Sequence, residues 1–231
     1  MQRVVERGGS TIKVGPWSDA PGIGHLVVLP GARSVDGTAI DVAVEAALSA
    51  GFHTLRTGAL GPEDATPFES RGFTLETRLV LLRRDLTASI ERRGMRPRRL
   101  HRGEWAAVAA LDALSFPRFW HFDEVALREA CAATAVSRVR LIGQAPVGYV
   151  IVGQSMNTGF VQRLAVHPAH AGQGIGRALV VDGLRWLHRR RVAQAFVNTQ
   201  YDNTPAIGLY ESLGFTIEPR QLVILSRTFP P

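Results

Sequence analysis

The chain has 231 residues, enough for one large domain or two small ones, and an apolar fraction of 45% is normal for a packed globular protein. Its longest apolar runs, residues 26–29 and 79–82 among them, suit buried strands and are far too short to span a bilayer, so no membrane partner is expected. The net charge of +7 admits an anionic partner, but nearly every basic residue is arginine (Lys13 is the sole lysine), a pattern that fits a GC-rich coding bias.

Residues 1–7 lack the apolar core of a signal peptide, and Cys131 is the only cysteine, so no intrachain disulfide can form and the expected compartment is cytoplasmic. Residues 25–29 read as a strand, 41–50 as a helix and 52–57 as a strand, followed by a short helix and a final strand. Basic residues then concentrate between Arg83 and Arg102, including Arg92, Arg93, Arg96, Arg98, Arg99 and His101. A solvated linker is the preferred reading over a nucleic-acid patch, because no aromatic residues are interleaved to stack bases. Beyond it come a strand at 98–100, a helix at 104–114, an aromatic loop at 115–122 and a helix at 123–133 with Asp123 as its N-cap. Strands at 136–142, 147–152 and 159–166 follow, the first two joined by the turn residues 143–146. The glycine-studded turn 171–176 leads into a long apolar-periodic helix, then a strand at 195–199 and a helix entered at Asn203 and closed by Gly214. This alternation predicts a mixed α/β fold with a crossover helix.

An internal repeat runs at an offset of 142 residues. Phe68, Glu69, Ser70, Gly72, Phe73, Thr74 and Glu76 line up with Tyr210, Glu211, Ser212, Gly214, Phe215, Thr216 and Glu218, and upstream Thr57 meets Thr199 and His25 meets His167. Element order agrees over about 60 residues, so duplication is the better explanation. The first copy has Ala32, Arg33 and Ser34 where the second has Gly174, Ile175 and Gly176, and Phe68 where the second has Tyr210. It also covers only the later half of the unit. The expected organisation is a degenerate, non-catalytic segment at 1–90, a basic linker at 91–97 and a complete catalytic domain at 98–231.

A glycine turn between a strand and a helix start presents free N–H groups and the positive end of the helix dipole, which suits phosphate. Taken alone, Gly174 and Gly176 are equally well explained by a tight turn and close packing. Together, though, Leu164-Ala165-Val166-His167-Pro168, the Gly174–Ile175–Gly176–Arg177–Ala178 turn, and Asn203, Ala206, Tyr210, Glu211, Gly214 and Phe215 resemble the GNAT superfamily of acyl-CoA N-acyltransferases. The resemblance implies a GNAT-like fold preceded by a partial repeat, with acetyl-CoA as cofactor. It implies that Leu164, Ala165 and Val166 lie on the strand that pairs with the pantetheine arm. Gly172, Gln173, Gly174, Ile175, Gly176, Arg177 and Ala178 would hold the pyrophosphate, largely through main-chain N–H groups. Where the family usually has Arg or Gln, this chain has Ala171, so one polar contact is missing or is supplied by Gln173 or Arg177. Asn203 reads both as a helix cap and as a pantetheine contact. Tyr210 reads as a core aromatic by itself, but within this motif as the acid that protonates the departing thiolate.

The implied reaction is direct transfer of an acyl group to a primary amine. The acceptor, small molecule or protein, is not legible. Phe116, Phe119, Trp120 and Phe122 occupy the place where the family shapes its acceptor pocket, or else form a hydrophobic plug. No metal-ligand spacing appears, Cys131 reads as a small core residue, and no general base stands out among His121, His167 and Glu211. Monomer and homodimer both stay open. The competing readings are an acyl-CoA-binding pseudoenzyme and a nucleic-acid-associated protein using the arginine-rich segment.

Overall fold

The computed structural model describes residues 3–17, 20–29, 34–87, 90, 94–118 and 120–230. In chain order the strands and helices are β1 (Arg3–Arg7), β2 (Ser10–Pro16), β3 (Ile23–Val28), α1 (Gly37–Ser49), β4 (Thr54–Thr57), α2 (Pro62–Glu69) and β5 (Thr74–Asp85). Then follow β6 (Arg98–Arg99), α3 (Trp105–Ser115), α4 (Glu124–Ala132), β7 (Val136–Ile142), β8 (Gly148–Ser155) and β9 (Thr158–Val166). The last elements are α5 (Ile175–Arg189), β10 (Gln194–Gln200), α6 (Thr204–Glu211) and β11 (Thr216–Thr228). Among the described residues no helix is long and apolar enough to cross a membrane.

Two compact units result: Met1–Leu81 with Thr199–Asp202 and Glu218–Pro231, and Leu82–Asn198 with Asn203–Ile217. They do not follow linear boundaries at residues 90 and 98. β5 begins in the first unit and ends in the second, whereas β11 begins in the second and ends in the first. At 12 and 13 residues these strands extend about 40 Å, twice the usual strand. Of the 91–97 segment, 91–93 lie outside the described residues. Arg98, which starts β6 inside the basic run, makes a bidentate pair with Glu104 (2.6 and 2.8 Å) and donates to the Gly143 and Gln144 carbonyls.

In the first unit β1–β2 and β2–β3 pair antiparallel, β3–β4 parallel and β4–β11 antiparallel. Its core gathers Ile12, Leu26, Ile40, Leu55, Phe68 and Leu225, all fully buried. In the second unit β6–β7, β7–β8 and β8–β9 pair antiparallel, and β9–β10 parallel. Val108, Leu111 and Leu127 from α3 and α4 cover one face of that sheet, against Leu141, Tyr149, Ile151 and Ala165. The long helix α5, with nine buried residues, is the crossover connection from β9 to β10.

The repeat is visible in detail. Moving α2 and β5 by 142 residues lands on α6 and β11. Phe68 meets Phe73 edge-on at 5.2 Å, and Tyr210 meets Phe215 likewise at 5.6 Å. Gly72 and Gly214 close the two helices at φ 77° and 78°, and the Ser70 and Ser212 hydroxyls each donate to a carbonyl three residues back. The strand pairings match too, with β1, β2, β3 and β4 arranged as β7, β8, β9 and β10 are. Among the described residues the first unit holds no counterpart of β6, α3 and α4, in keeping with a later-half repeat.

Candidate functional site

The ladder between β9 and β10 covers three residues of each strand, Thr158–Phe160 against Gln194–Phe196, and stops there. The Phe160 and Phe196 rings stack at 6.3 Å where the pairing ends. Immediately beyond, the β8–β9 register shifts: Val152 faces Val161 and Ile151 faces Arg163, so Gln162 is an extra, bulged residue. His167 N–H donates to the Val147 carbonyl across this ladder. By antiparallel alternation Ala165 also faces β8, while Leu164 and Val166 turn their N–H and C=O groups to the unpaired side. The strand thus offers an edge that β10 leaves unpaired over the residues the sequence singled out, with the Val166 carbonyl accepting from the Ser115 hydroxyl at 3.2 Å.

That edge leads to the glycine turn. His167 holds the short Pro168–His170 helical turn by accepting the Ala169 N–H at Nδ1 (3.1 Å), and His170 Nδ1 lies 3.3 Å from Gln173 Oε1. Gly172 and Gly174 take φ of 75° and 77°, which an L side chain adopts only under strain, and nothing lies within 4 Å of where their Cβ atoms would be. Gly174 occupies the N-cap position of α5 without a side chain to cap it. The first helical bond runs from Ala178 N–H to Gly174 C=O, so the N–H groups of Ile175, Gly176 and Arg177 precede the ladder. Gly176 sits beside the Leu164, Val166 and Leu209 side chains, which brings β9, α5 and α6 together at this point. Arg177 reaches the end of α6, donating to Ser212 Oγ (3.0 Å) and to its carbonyl. Ala171 is exposed.

The equivalent helix start in the first unit is closed. Asp36 caps α1, its Oδ1 accepting both the Thr38 N–H and the Thr38 hydroxyl at 2.6 Å. These bonds hold the Asp36 carboxyl below its ordinary range. A built-in anion therefore stands where α5 has none. The β3–β4 ladder also stays zipped past Leu26 and Thr57, with Gly58 N–H donating to the Leu26 carbonyl. Ala32 and Arg33 of this turn lie outside the described residues.

On α6, Asn203 is the N-cap, its side-chain oxygen accepting the Ala206 N–H at 3.3 Å. Tyr210 is 4% exposed, and burial pushes its hydroxyl well above the ordinary tyrosine range. Cys131 is half-buried, and burial raises its thiol, as suits a core residue rather than a nucleophile.

A junction that the residue pattern did not reveal ties the aromatic loop to β9. Asp112 on α3 is fully buried. Its Oδ1 accepts from Arg163 Nη2 (2.8 Å) and Phe122 N–H (2.5 Å); its Oδ2 accepts from Arg163 Nε (2.8 Å) and the buried Tyr149 hydroxyl. Arg163 Nη2 also donates to the Trp120 carbonyl (2.6 Å), and its guanidinium lies 3.6 Å from the Phe116 ring centre and 3.9 Å from that of Phe122. Phe116 and Phe122 therefore clamp a cation, and Trp120 contributes its backbone carbonyl. Phe119 lies outside the described residues. The available signal was a lone Asp inside the apolar run Ala109–Leu114 and a lone Arg inside an apolar strand, both rare in cores unless paired.

A cavity of about 460 Å³ opens at the other end of α5, lined by Leu86, His188, Arg189 and Val192 among others, and holds none of the predicted site residues.

Residues 105–215 match the profile of the Acetyltransferase (GNAT) family. A mycothiol acetyltransferase of Catenulispora acidiphila is 39% identical over 74 residues, 32% of this chain and 20% of that protein. One from Saccharomonospora viridis is 34% identical over 143 positions, 48% of this chain and 42% of that protein. The chain thus aligns with less than half the length of either relative. A solved tandem GNAT protein from the clavulanic acid biosynthesis pathway superimposes with a TM-score of 0.68 at 16% identity, covering 98% of this chain and 82% of that one. That likeness is one of fold.

Proposed function

We propose, from the match of residues 105–215 to the Acetyltransferase (GNAT) family, that the chain is an acetyltransferase of that family and transfers an acetyl group from acetyl-CoA directly to a primary amine. The observation that carries this reading is the contrast between two equivalent helix starts. One is filled by the Asp36 carboxylate, and the other is open at Gly174 beside an unpaired strand edge. An uncapped helix start with a row of free N–H groups fits a diphosphate. The N–H groups of residues 175–177 would hold it, and the Leu164 and Val166 backbone would hold the pantetheine amides. Asn203, which caps α6 by accepting the Ala206 N–H, would stand at the helix entry beside the arm.

When bound, acetyl-CoA supplies the acetyl group as a thioester. The N–H groups beyond the Gln162 bulge polarise the carbonyl oxygen as negative charge develops on it. Tyr210 keeps its proton at neutral pH and would donate it to the leaving thiolate, while the attacking neutral amine would release its own proton to water. Between small-molecule and protein amines, the names of the relatives favour the small molecule. The first unit, with a filled helix start and Phe68 in place of Tyr210, serves as a non-catalytic partner segment.

The test is calorimetric titration with acetyl-CoA, then acetyl transfer by Tyr210→Phe. The variant is expected to bind acetyl-CoA within about threefold of wild type and to lose 10²- to 10⁴-fold in kcat. Absence of acetyl-CoA binding by the wild type would overturn the reading, and unchanged turnover in the variant would overturn the acid.

A further inference from the structure

The face of the second unit's sheet that α5 covers carries a group of arginines that acetyl transfer leaves without a role. Arg138 and Arg140 are two apart on β7 and so point to the same face, opposite to Val139 and Leu141, which belong to the α3–α4 core. Arg99 on β6 is the direct cross-strand partner of Arg140. From above, α5 lowers Asp182 onto them: its Oδ2 lies 3.0 Å from Arg138 Nη2 and 3.5 Å from Arg140 Nε. Arg189, seven residues on, returns to the same side of α5 as Asp182.

Two guanidiniums thus contact one carboxylate, and Arg99 and Arg189 lie near enough to act on Arg138 and Arg140 through their charge. Arg138 and Arg140 form the floor, their side chains only 17% and 12% exposed, and Arg138 Nε is buried with no acceptor. Arg99 and Arg189 form an exposed rim, and neither has a carboxylate partner among the described residues. Like charges placed directly across a strand pair are destabilising. Burial, above all, lowers the Arg138 guanidinium; Asp182 opposes that, while Arg189 and Arg99 add to it. After Asp182 takes its share, a surplus of three positive charges is left converging on one niche.

We propose that this niche binds a small oligophosphate anion. Such a ligand presents several oxygens to planar guanidinium donors over a short span. Arg138 and Arg140 are about 6.6 Å apart along the strand, and Arg99 lies one strand away, so the niche suits one compact anion. A nucleic-acid track requires an extended basic groove with stacking rings, and the niche has neither.

Sodium tripolyphosphate titrated into the full chain, with coenzyme A present in excess to occupy the glycine turn, tests this. Wild type is expected to bind, and R99Q/R189Q, which alters only exposed side chains, to bind at least tenfold more weakly. R140Q, which leaves the 3.0 Å Arg138–Asp182 pair in place, is expected to weaken binding similarly. Equal binding by wild type and R99Q/R189Q, or no binding by wild type, would overturn the proposal. So would an RNA oligonucleotide that binds through these arginines when tripolyphosphate does not.

Discussion

Asp112→Asn puts the buried junction to a quantitative test. The asparagine is isosteric, but its two ends differ: one accepts and the other donates. In the wild type both ends face donors only, Arg163 Nη2 and Phe122 N–H at Oδ1, and Arg163 Nε and the Tyr149 hydroxyl at Oδ2. With the NH2 at the Oδ1 place two of the four bonds are lost; with it at the Oδ2 place the Tyr149 hydroxyl can turn to accept and the Arg163 Nε bond is lost. Either way the Arg163 side chain, 11% exposed, keeps its charge beside a neutral partner. Breaking a buried ion pair from one side costs about 3–5 kcal/mol. With two or three of the four bonds retained, about 3 kcal/mol is expected, which for a unit of this size lowers Tm by roughly 10 °C. Urea and thermal unfolding of the full chain measure it. Adding Arg163→Met removes the stranded charge, so the double variant should be more stable than the sum of the single ones by about 1.5 kcal/mol. A loss below about 0.5 kcal/mol in Asp112→Asn, or strict additivity, would refute the argument that this ion pair holds the 116–122 loop to β9.

Other consequences follow from single residues. Gly174→Ala and Gly9→Ala both place a methyl group in open space at φ 77°, so each should lose about 1 kcal/mol of stability from backbone strain. Only the former should also weaken coenzyme A in calorimetry, about tenfold, and equal affinities in the two variants would remove the cradle assignment. Burial lowers His25 to about 4 from its ordinary 6.5. The neutral ring's contribution to stability is therefore fully present above pH 6.5 and lost as pH falls towards 4. Unfolding of the first unit at stepped pH should show that decline, and His25→Gln should flatten it; parallel profiles would contradict the assignment. Because burial raises Tyr210, its proton stays in place through pH 10. The kcat profile should accordingly have no descending limb from this group below pH 10, and a limb near pH 9 would contradict its role as the acid.

The legible part of this protein was whatever depends on neighbours along the chain. Period and turn chemistry located nearly every helix and strand of the second unit, including β7 at Val136–Ile142 and the Asp123 cap, because a helix or strand imprints its solvent boundary on consecutive residues. The repeat was legible for the same reason: Phe68 and Tyr210, or Gly72 and Gly214, keep their local partners wherever the segment sits. Tertiary structure decided what depends on distant residues. No local signal says that β5 and β11 finish in a different unit from the one in which they start, since a long strand looks alike on either side of that crossing. Nor does one say that Asp36 fills the first helix start, that β9 and β10 part after Phe160 and Phe196, or that Arg163 and Asp112 meet 51 residues apart. A buried charge or a free strand edge is stable or reactive only through what faces it across space, and that partner is not its neighbour in the chain.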